Sequence, residues 1–433
     1  MGMQGLPGFR DFYPAETALR NQILAAWRTV AARYGFVEYD GPPLEPLELY
    51  TAKSGEEIVG QLYAFEDKGG RKVALRPEMT PTLARMVATQ SAALKKPIRW
   101  FSVPQLFRYE RQQRGRLREH FQLNMDLIGE AGPLADAELI GAAVDVTRVL
   151  GLGPNDVRAR VSDRRVIHAL LEAMGLDESG ITKAYQQIDK IRRDPHDVLL
   201  ERLTQSLGAG ELAERVLALG EITTLEGVTR ALEAIENGED IGRPFVQCID
   251  HLHALGFGEF VDIDLSIVRG LAYYTGVVFE LFDARGELRA ICGGGRYDGL
   301  LNAIGGTDLP AAGFGMGDVV LGELVKARGI VETTSTIDAF LVAVSRADIP
   351  FVLRLAHQLR DADVGVEFSL KVQPVGKQLK LAAARGTTRA IIVGADEREK
   401  NEVVIRDLST GAERHVAIAQ LIENSQQELH GGQ

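Results

Sequence analysis

The alternation along residues 120–128 constrains the fold of this chain more than any other stretch. Phe121, Leu123, Met125 and Leu127 fall on one side of an extended strand, and Gln122, Asn124 and Asp126 fall on the other. Residues 106–128 predict a long antiparallel hairpin, with Arg108 and Glu110 sharing one face of its first arm. A sheet face carrying Arg, Glu, Gln and Asp cannot be an ordinary core. Buried charges need partners or ligands, so the shared face predicts a polar pocket.

The turn of that hairpin is unusual for the rest of the chain. Arg108, Arg111, Arg114, Arg116 and Arg118 crowd together in a protein of net charge −11, with 49 basic and 60 acidic residues. Bulk acidity argues against a basic nucleic-acid coat, but it leaves a local basic patch possible. A solvated charged loop is the plainer alternative.

Elsewhere, the 433 residues suggest two or three domains, and 45% hydrophobic with 25% charged residues is an average globular balance. An amphipathic helix is predicted over 15–34, where Leu19, Ile23, Trp27, Val30 and Tyr34 recur at helical spacing. Strands are predicted at 36–39, 73–76 and 98–103. Thr80 reads as the N-cap of a helix with Pro81 in its first turn. Helical patterns cover 136–150 and about 163–255, the latter as a helical insertion. Strands return at 261–268, 274–282 and 289–292. Residues 293–299 read as a glycine turn, and the Gly-rich stretch continued by Gly313, Gly315 and Gly317 leads into an apolar helix from 319. From residue 337 onward strands and helices alternate as a small, mostly parallel α/β domain ending near 425. Residues 426–433 read as a frayed polar tail.

Several chemistries have no sequence support. The two cysteines, Cys248 and Cys292, form no CxxC, so neither a disulfide scaffold nor a Cys-rich zinc module is expected. There is no HExxH, no P-loop, no GxGxxG after a strand and no GxSxG. The histidines, His120 among them, read as structural or surface groups rather than metal ligands. No apolar run is long enough for a membrane span, and residues 1–10 lack a signal-peptide pattern. A reduced, cytoplasmic protein is expected.

Taken together, six stretches resemble the histidyl-tRNA synthetase family of class II aminoacyl-tRNA synthetases. Leu6-Pro7-Gly8-Phe9-Arg10-Asp11 is similar to its N-terminal pattern, and residues 36–44 to motif 1, the dimerisation element. Residues 107–122 resemble motif 2. Residues 269–275 and 294–299 resemble two histidine-recognition motifs. The segment after 336 resembles an anticodon-binding domain. The resemblance implies a class II antiparallel-sheet catalytic domain over 1–328 with the helical insertion, and an α/β anticodon domain over 337–425. It implies a cytoplasmic homodimer that activates L-histidine with ATP and Mg²⁺ and passes it to tRNA(His).

The resemblance also implies roles for single residues. Arg108 and Arg269 are the catalytic cations, set on opposite sides of the α-phosphate, and with Glu110 they bind ATP. Glu78, Thr80 and Gln122 take the α-ammonium of histidine. Asp126 and Tyr274 take its imidazole, and Tyr273 is a further histidine-binding residue. Gln113, Arg114, Arg116 and Arg118 meet the tRNA acceptor end. One departure stands out, since Val320 occupies the place where motif 3 carries an ATP-binding arginine. The alternative is a non-catalytic relative that regulates ATP phosphoribosyltransferase. The retained C-terminal domain favours the enzyme, and the missing arginine favours the regulator.

Overall fold

The computed structural model describes residues 5–51, 60–111, 113–269, 274–331 and 337–430. The chain divides into two compact units, Met1–Glu332 and Thr333–Gln433. The strands of the first unit are β1 (Val37–Glu38), β2 (Leu44–Pro46), β3 (Ala64–Glu66), β4 (Lys72–Leu75), β5 (Ile98–Ser102), β6 (Gln105–Phe107), β7 (Glu119–Ile128), β8 (Val157–Asp163), β9 (Val261–Ile263), β10 (Val277–Asp283), β11 (Cys292–Arg296) and β12 (Ala311–Gly317).

Among the described residues a nine-stranded sheet has the order β1-β5-β7-β12-β11-β10-β8-β9, with β6 paired to β7. Only the outer pairs, β1–β5 and β8–β9, are parallel. One face is apolar. Leu123, Met125 and Leu127 on β7, Phe314 and Met316 on β12, Phe279 on β10 and Val161 on β8 enter the main core. Helices Pro14–Arg33 and Pro133–Val149 share that core, with Trp27 fully buried. Burying this face supplies the main driving force for the unit.

The opposite face follows from the register. Asp126 lies beside Gly313, Asn124 beside Gly315 and Gln122 beside Gly317. Gly315 in turn lies beside Gly293, and Gly313 beside Gly295. Glu280 completes the row next to Gly293. The floor of this face is therefore glycine, walled by β7 on one side and β10 on the other.

That arrangement corrects the expectation of a glycine turn over 293–299, because Cys292–Arg296 is a strand in mid-sheet, as is the Gly-rich Ala311–Gly317 beside it. Glycine disfavours strands in isolation, yet here the absent side chains are what the face requires. A strand that the sequence reading left unassigned, β8, also lies within the sheet. Its Val157, Ala159 and Val161 alternate with Arg158, Arg160 and Ser162. The hairpin is shorter than expected, for its first arm ends at Phe107, although the Arg108 N–H still donates to the Arg118 carbonyl at 2.9 Å. The strand expected over 261–268 stops at Ile263.

Met79, rather than Thr80, occupies the N-cap of helix Thr80–Gln90, and no side chain caps it. Between β8 and β9 the chain is helical. Asp163 opens this run by accepting from the Arg165 N–H at 2.8 Å, and Asp177 caps the next helix by accepting from Gly180 at 2.8 Å.

The second unit holds β13 (Ala339–Ala343), β14 (Val366–Phe368), β15 (Arg389–Val393), β16 (Glu402–Asp407) and β17 (Glu413–Ala417), in the order β14-β13-β15-β16-β17. Its sheet is mixed, not mostly parallel, because β15–β16 and β16–β17 are antiparallel hairpin pairs. Helix Ile349–Asp361 packs on one face and Val375–Ala384 on the other. The helix expected from 416 begins at Ile418, after β17. The tail expected to fray after 425 is a helix over Ser425–His430, and 431–433 lie outside the described residues. Leu429 is buried in the core, and its carbonyl accepts from Arg389 Nε at 3.2 Å.

Candidate active site

Four side chains lie over the glycine floor, each at the glycine that admits it. A Cβ on Gly315 would meet the Gln122 amide nitrogen at 2.6 Å. A Cβ on Gly313 would strike the Asp126 carboxylate, and one on Gly293 would strike the Arg269 guanidinium. A Cβ on Gly295 would stand 3.0 Å from the Tyr274 ring. The strand pairing thus brings together Gln122 and Asp126 from one stretch of sequence with Arg269 and Tyr274 from another.

The β7 wall is internally bonded. The His120 ring Nε2 meets Gln122 Oε1 at 3.2 Å, Gln122 Nε2 donates to Asn124 Oδ1 at 2.7 Å, and Asn124 Nδ2 donates to the Gln122 carbonyl at 3.2 Å. Burial, then the Arg108 charge, pushes His120 down to about 4, so its ring is neutral at physiological pH. Farther along, the Tyr297 hydroxyl donates to the Asp126 carboxylate. Burial lifts Asp126 to about 7 despite that bond.

Arg269 has a left-handed backbone, with φ of 57°. For a residue with a Cβ this conformation costs on the order of 1 kcal/mol, and such strain collects at functional sites. Its guanidinium pairs with Glu280, its Cζ lies 5.9 Å from the Tyr274 ring centroid, and its Nε is buried with no partner among the described residues. A buried donor left unsatisfied favours an anionic ligand. The Coulombic pull of Tyr274 and Glu280 outweighs burial and raises the guanidinium pKa.

A cavity of about 230 Å³ opens where this trough meets the arginine loop. Arg108, Glu110, Arg116, His120, Gln122, Arg269 and Cys292 line it, and Val319 and Val320 close one end. Arg108 Nε donates to the Pro77 carbonyl at 2.9 Å, which brings the turn carrying Glu78 and Thr80 to the same side. Glu78 is buried and Thr80 is half-buried at the head of helix Thr80–Gln90, whose Leu83, Ala84 and Val87 pack with Tyr274 and Tyr297. Tyr273 lies outside the described residues.

Two arginines of the loop pair with carboxylates. Arg116 makes a two-pronged pair with Glu110, one bond being 2.7 Å, and so faces the cavity. Arg114 pairs with Glu323 at 3.3 Å. The Arg118 guanidinium lies 4.1 Å from the Tyr109 ring centroid, and the Arg118 backbone N–H donates to the Gly8 carbonyl at 3.0 Å. Gln113 bonds to Arg289.

Sequence reasoning missed His120, Tyr297 and Glu280. His120 was expected to be structural or superficial, but it forms part of the cavity wall. Its signal was its place on the polar face of β7, two residues before Gln122. Tyr297 follows the glycine strand directly, and Glu280 alternates with Phe279 and Leu281 on β10.

The chain has clear relatives. A family model described as histidyl-tRNA synthetase matches residues 8–317, and one described as anticodon binding domain matches 338–428. A histidine–tRNA ligase from Opitutus terrae is 46% identical over 95% of both chains. The chloroplastic/mitochondrial histidine–tRNA ligase of Arabidopsis thaliana is 39% identical over 96% of this chain and 85% of its own. Among solved structures, a histidyl-tRNA synthetase from Nostoc sp. PCC 7120 superimposes with a TM-score of 0.87 at 25% identity, covering 99% of this chain and 100% of its own.

Proposed function

The chain belongs to the histidyl-tRNA synthetase family, and from that premise we propose how its residues serve the family's reaction. The activity is that of a ligase: L-histidine is activated with ATP to histidyl-adenylate and transferred to tRNA(His). Full-length relatives that are ligases, together with the anticodon-binding segment, disfavour the regulatory alternative.

Histidine lies in the glycine-floored trough. Its imidazole N–H groups meet the Asp126 carboxylate and Tyr274, while Gln122, Glu78 and Thr80 receive its ammonium. Tyr273 is assigned to histidine binding by resemblance alone. A site built around an ionisable carboxylate and fixed amides rejects amino acids lacking a ring N–H, because its buried polar groups are then left unpaired. ATP lies in the adjoining cavity, with Arg108 and Arg269 on opposite sides of the α-phosphate. The histidine carboxylate attacks that phosphorus and pyrophosphate leaves. Charge builds on the phosphate oxygens in the transition state, and two fixed guanidinium groups stabilise it. A guanidinium keeps its charge throughout the working pH range of proteins.

Among the described residues no cluster of three metal-ligating side chains occurs. Mg²⁺ typically binds through one or two carboxylates and substrate phosphates, so this donor set fits an ion that arrives with ATP. Glu110 is the cavity carboxylate that would hold it, and the ion would neutralise phosphate charge. Gln113, Arg114, Arg116 and Arg118 are assigned to the acceptor end of the tRNA. A homodimer is supported by Val37 on β1, Leu44 on β2 and Phe65 on β3, all exposed apolar side chains in or beside the motif 1 segment. We assign the enzyme to the cytoplasm, where charged tRNA is consumed. No described helix is long and apolar enough to cross a membrane.

The observation that carries this reading is the row of glycines that admits Gln122, Asp126, Arg269 and Tyr274 onto one sheet face. Histidine-dependent ATP–pyrophosphate exchange tests it. The wild-type chain exchanges, and Arg269→Ala loses at least about a hundredfold in rate, the scale seen when one preorganised charge-stabilising donor is removed, with an unchanged circular-dichroism melt. Exchange that survives the substitution contradicts the assignment.

A further inference from the structure

The triphosphate of ATP carries more negative charge than Arg108 and Arg269 can balance. The other cavity cation, Arg116, is already held by Glu110. The Val319–Val320 end of the cavity presents apolar side chains, so a cation at the rim there would add to what the two arginines and a metal ion arriving with ATP supply to the outer phosphates.

Arg289 stands across Gly115 from that end. A Cβ on Gly115 would lie 3.2 Å from Val320 Cγ2 and 3.8 Å from Arg289 Cδ. Arg289 directly precedes Ala290, Ile291 and Cys292, which line the cavity, and the Ile291 N–H donates to the Leu281 carbonyl at 2.8 Å, fixing that stretch to β10. The Arg289 side chain is exposed at the rim. Its hydrogen-bond partner is the neutral Gln113 amide, and among the described residues no carboxylate pairs with it. An arginine held by an amide can turn to a phosphate without breaking an ion pair, unlike Arg114 or Arg116. The fork of a guanidinium also matches phosphate oxygens bidentately.

We propose that Arg289 binds the terminal phosphates of ATP at the cavity end where Val320 supplies no charge, and is thereby a positioning residue for in-line departure of pyrophosphate. The inference rests on the ATP reading of the cavity.

The test compares ATP and AMP binding by calorimetry in the wild-type chain, Arg289→Ala and Arg289→Lys. AMP lacks the outer phosphates and controls for damage to the cavity. Arg289→Ala is expected to weaken ATP about tenfold, a loss typical of one charge-assisted contact. It should leave AMP within twofold, and Arg289→Lys should recover part of the loss. Unchanged ATP affinity overturns the proposal, as does an equal loss for AMP. A raised KM for tRNA in charging assays, with ATP binding intact, overturns it in favour of an acceptor-end contact. Wild-type ATP binding without histidine-dependent exchange would remove the family mechanism while leaving this inference standing.

Discussion

Asp126 shows how much a single buried group can set. An unfolded aspartate loses its proton near 3.8, whereas Asp126 in the fold keeps it up to about 7, chiefly because burial disfavours the anion. Between those values the folded state holds more protons than the unfolded one. Stability therefore falls as pH rises through this window and levels off above it. At roughly 1.4 kcal/mol per tenfold change in proton affinity, the ionised carboxylate costs the empty fold on the order of 4 kcal/mol. Bound histidine offsets that cost by giving the carboxylate a partner. Asp126→Asn still accepts the Tyr297 hydrogen bond but cannot ionise. It is expected to raise the denaturation midpoint at pH 8 much more than at pH 5, while weakening histidine binding at least tenfold. Urea melts at the two pH values, paired with calorimetry, check this. An equal offset at both pH values contradicts the assigned role.

At the scale of elements, β11 and β12 are two strands that perform different tasks on their two faces. On the trough face, a Cβ at Gly315 meets the end of the Gln122 side chain, which can swing aside. At Gly294, on the opposite face, a Cβ meets the Gly313 carbonyl and the Phe314 backbone, at 2.8 Å from its Cα, which cannot. Gly294→Ala is therefore expected to cost about 1–3 kcal/mol or more of stability through overpacking. Gly315→Ala keeps the melt near wild type and raises the KM for histidine by about tenfold, since it displaces Gln122. Melting curves and steady-state kinetics on both variants separate the two cases, and equal destabilisation would contradict the division of faces. These strands were the least legible elements in the sequence. Strand propensity reflects side-chain packing, and a strand whose function is to lack side chains offers none of that signal. β7 was legible for the opposite reason, because its period-two alternation is complete. β8 carried the same alternation from Val157 to Ser162 but lay between two strong helical patterns. The capping position at Met79 was illegible because it makes no side-chain cap at all.

Over the whole molecule, the net charge of −11 coexists with a nucleic-acid substrate because charge acts locally. The arginine loop is less basic than its composition suggests, since Arg116 and Arg114 are paired with Glu110 and Glu323. Pairing is invisible in sequence, because the partners come from the packed fold. Arg108 and the rim residue Arg289 have no carboxylate partner among the described residues, and with Arg269, which pairs with Glu280, they stand beside the site where the phosphates of ATP are assigned. The acceptor end of the tRNA must approach that same site. The two units divide the task, the first holding the trough and cavity, the second matching an anticodon-binding domain. The most direct test of the account is charging of bulk tRNA by the full chain with each radiolabelled amino acid in turn. The account predicts acid-stable label from histidine alone, dependent on ATP and lost in Arg269→Ala. No histidine label, or another amino acid charged as well as histidine, would contradict it.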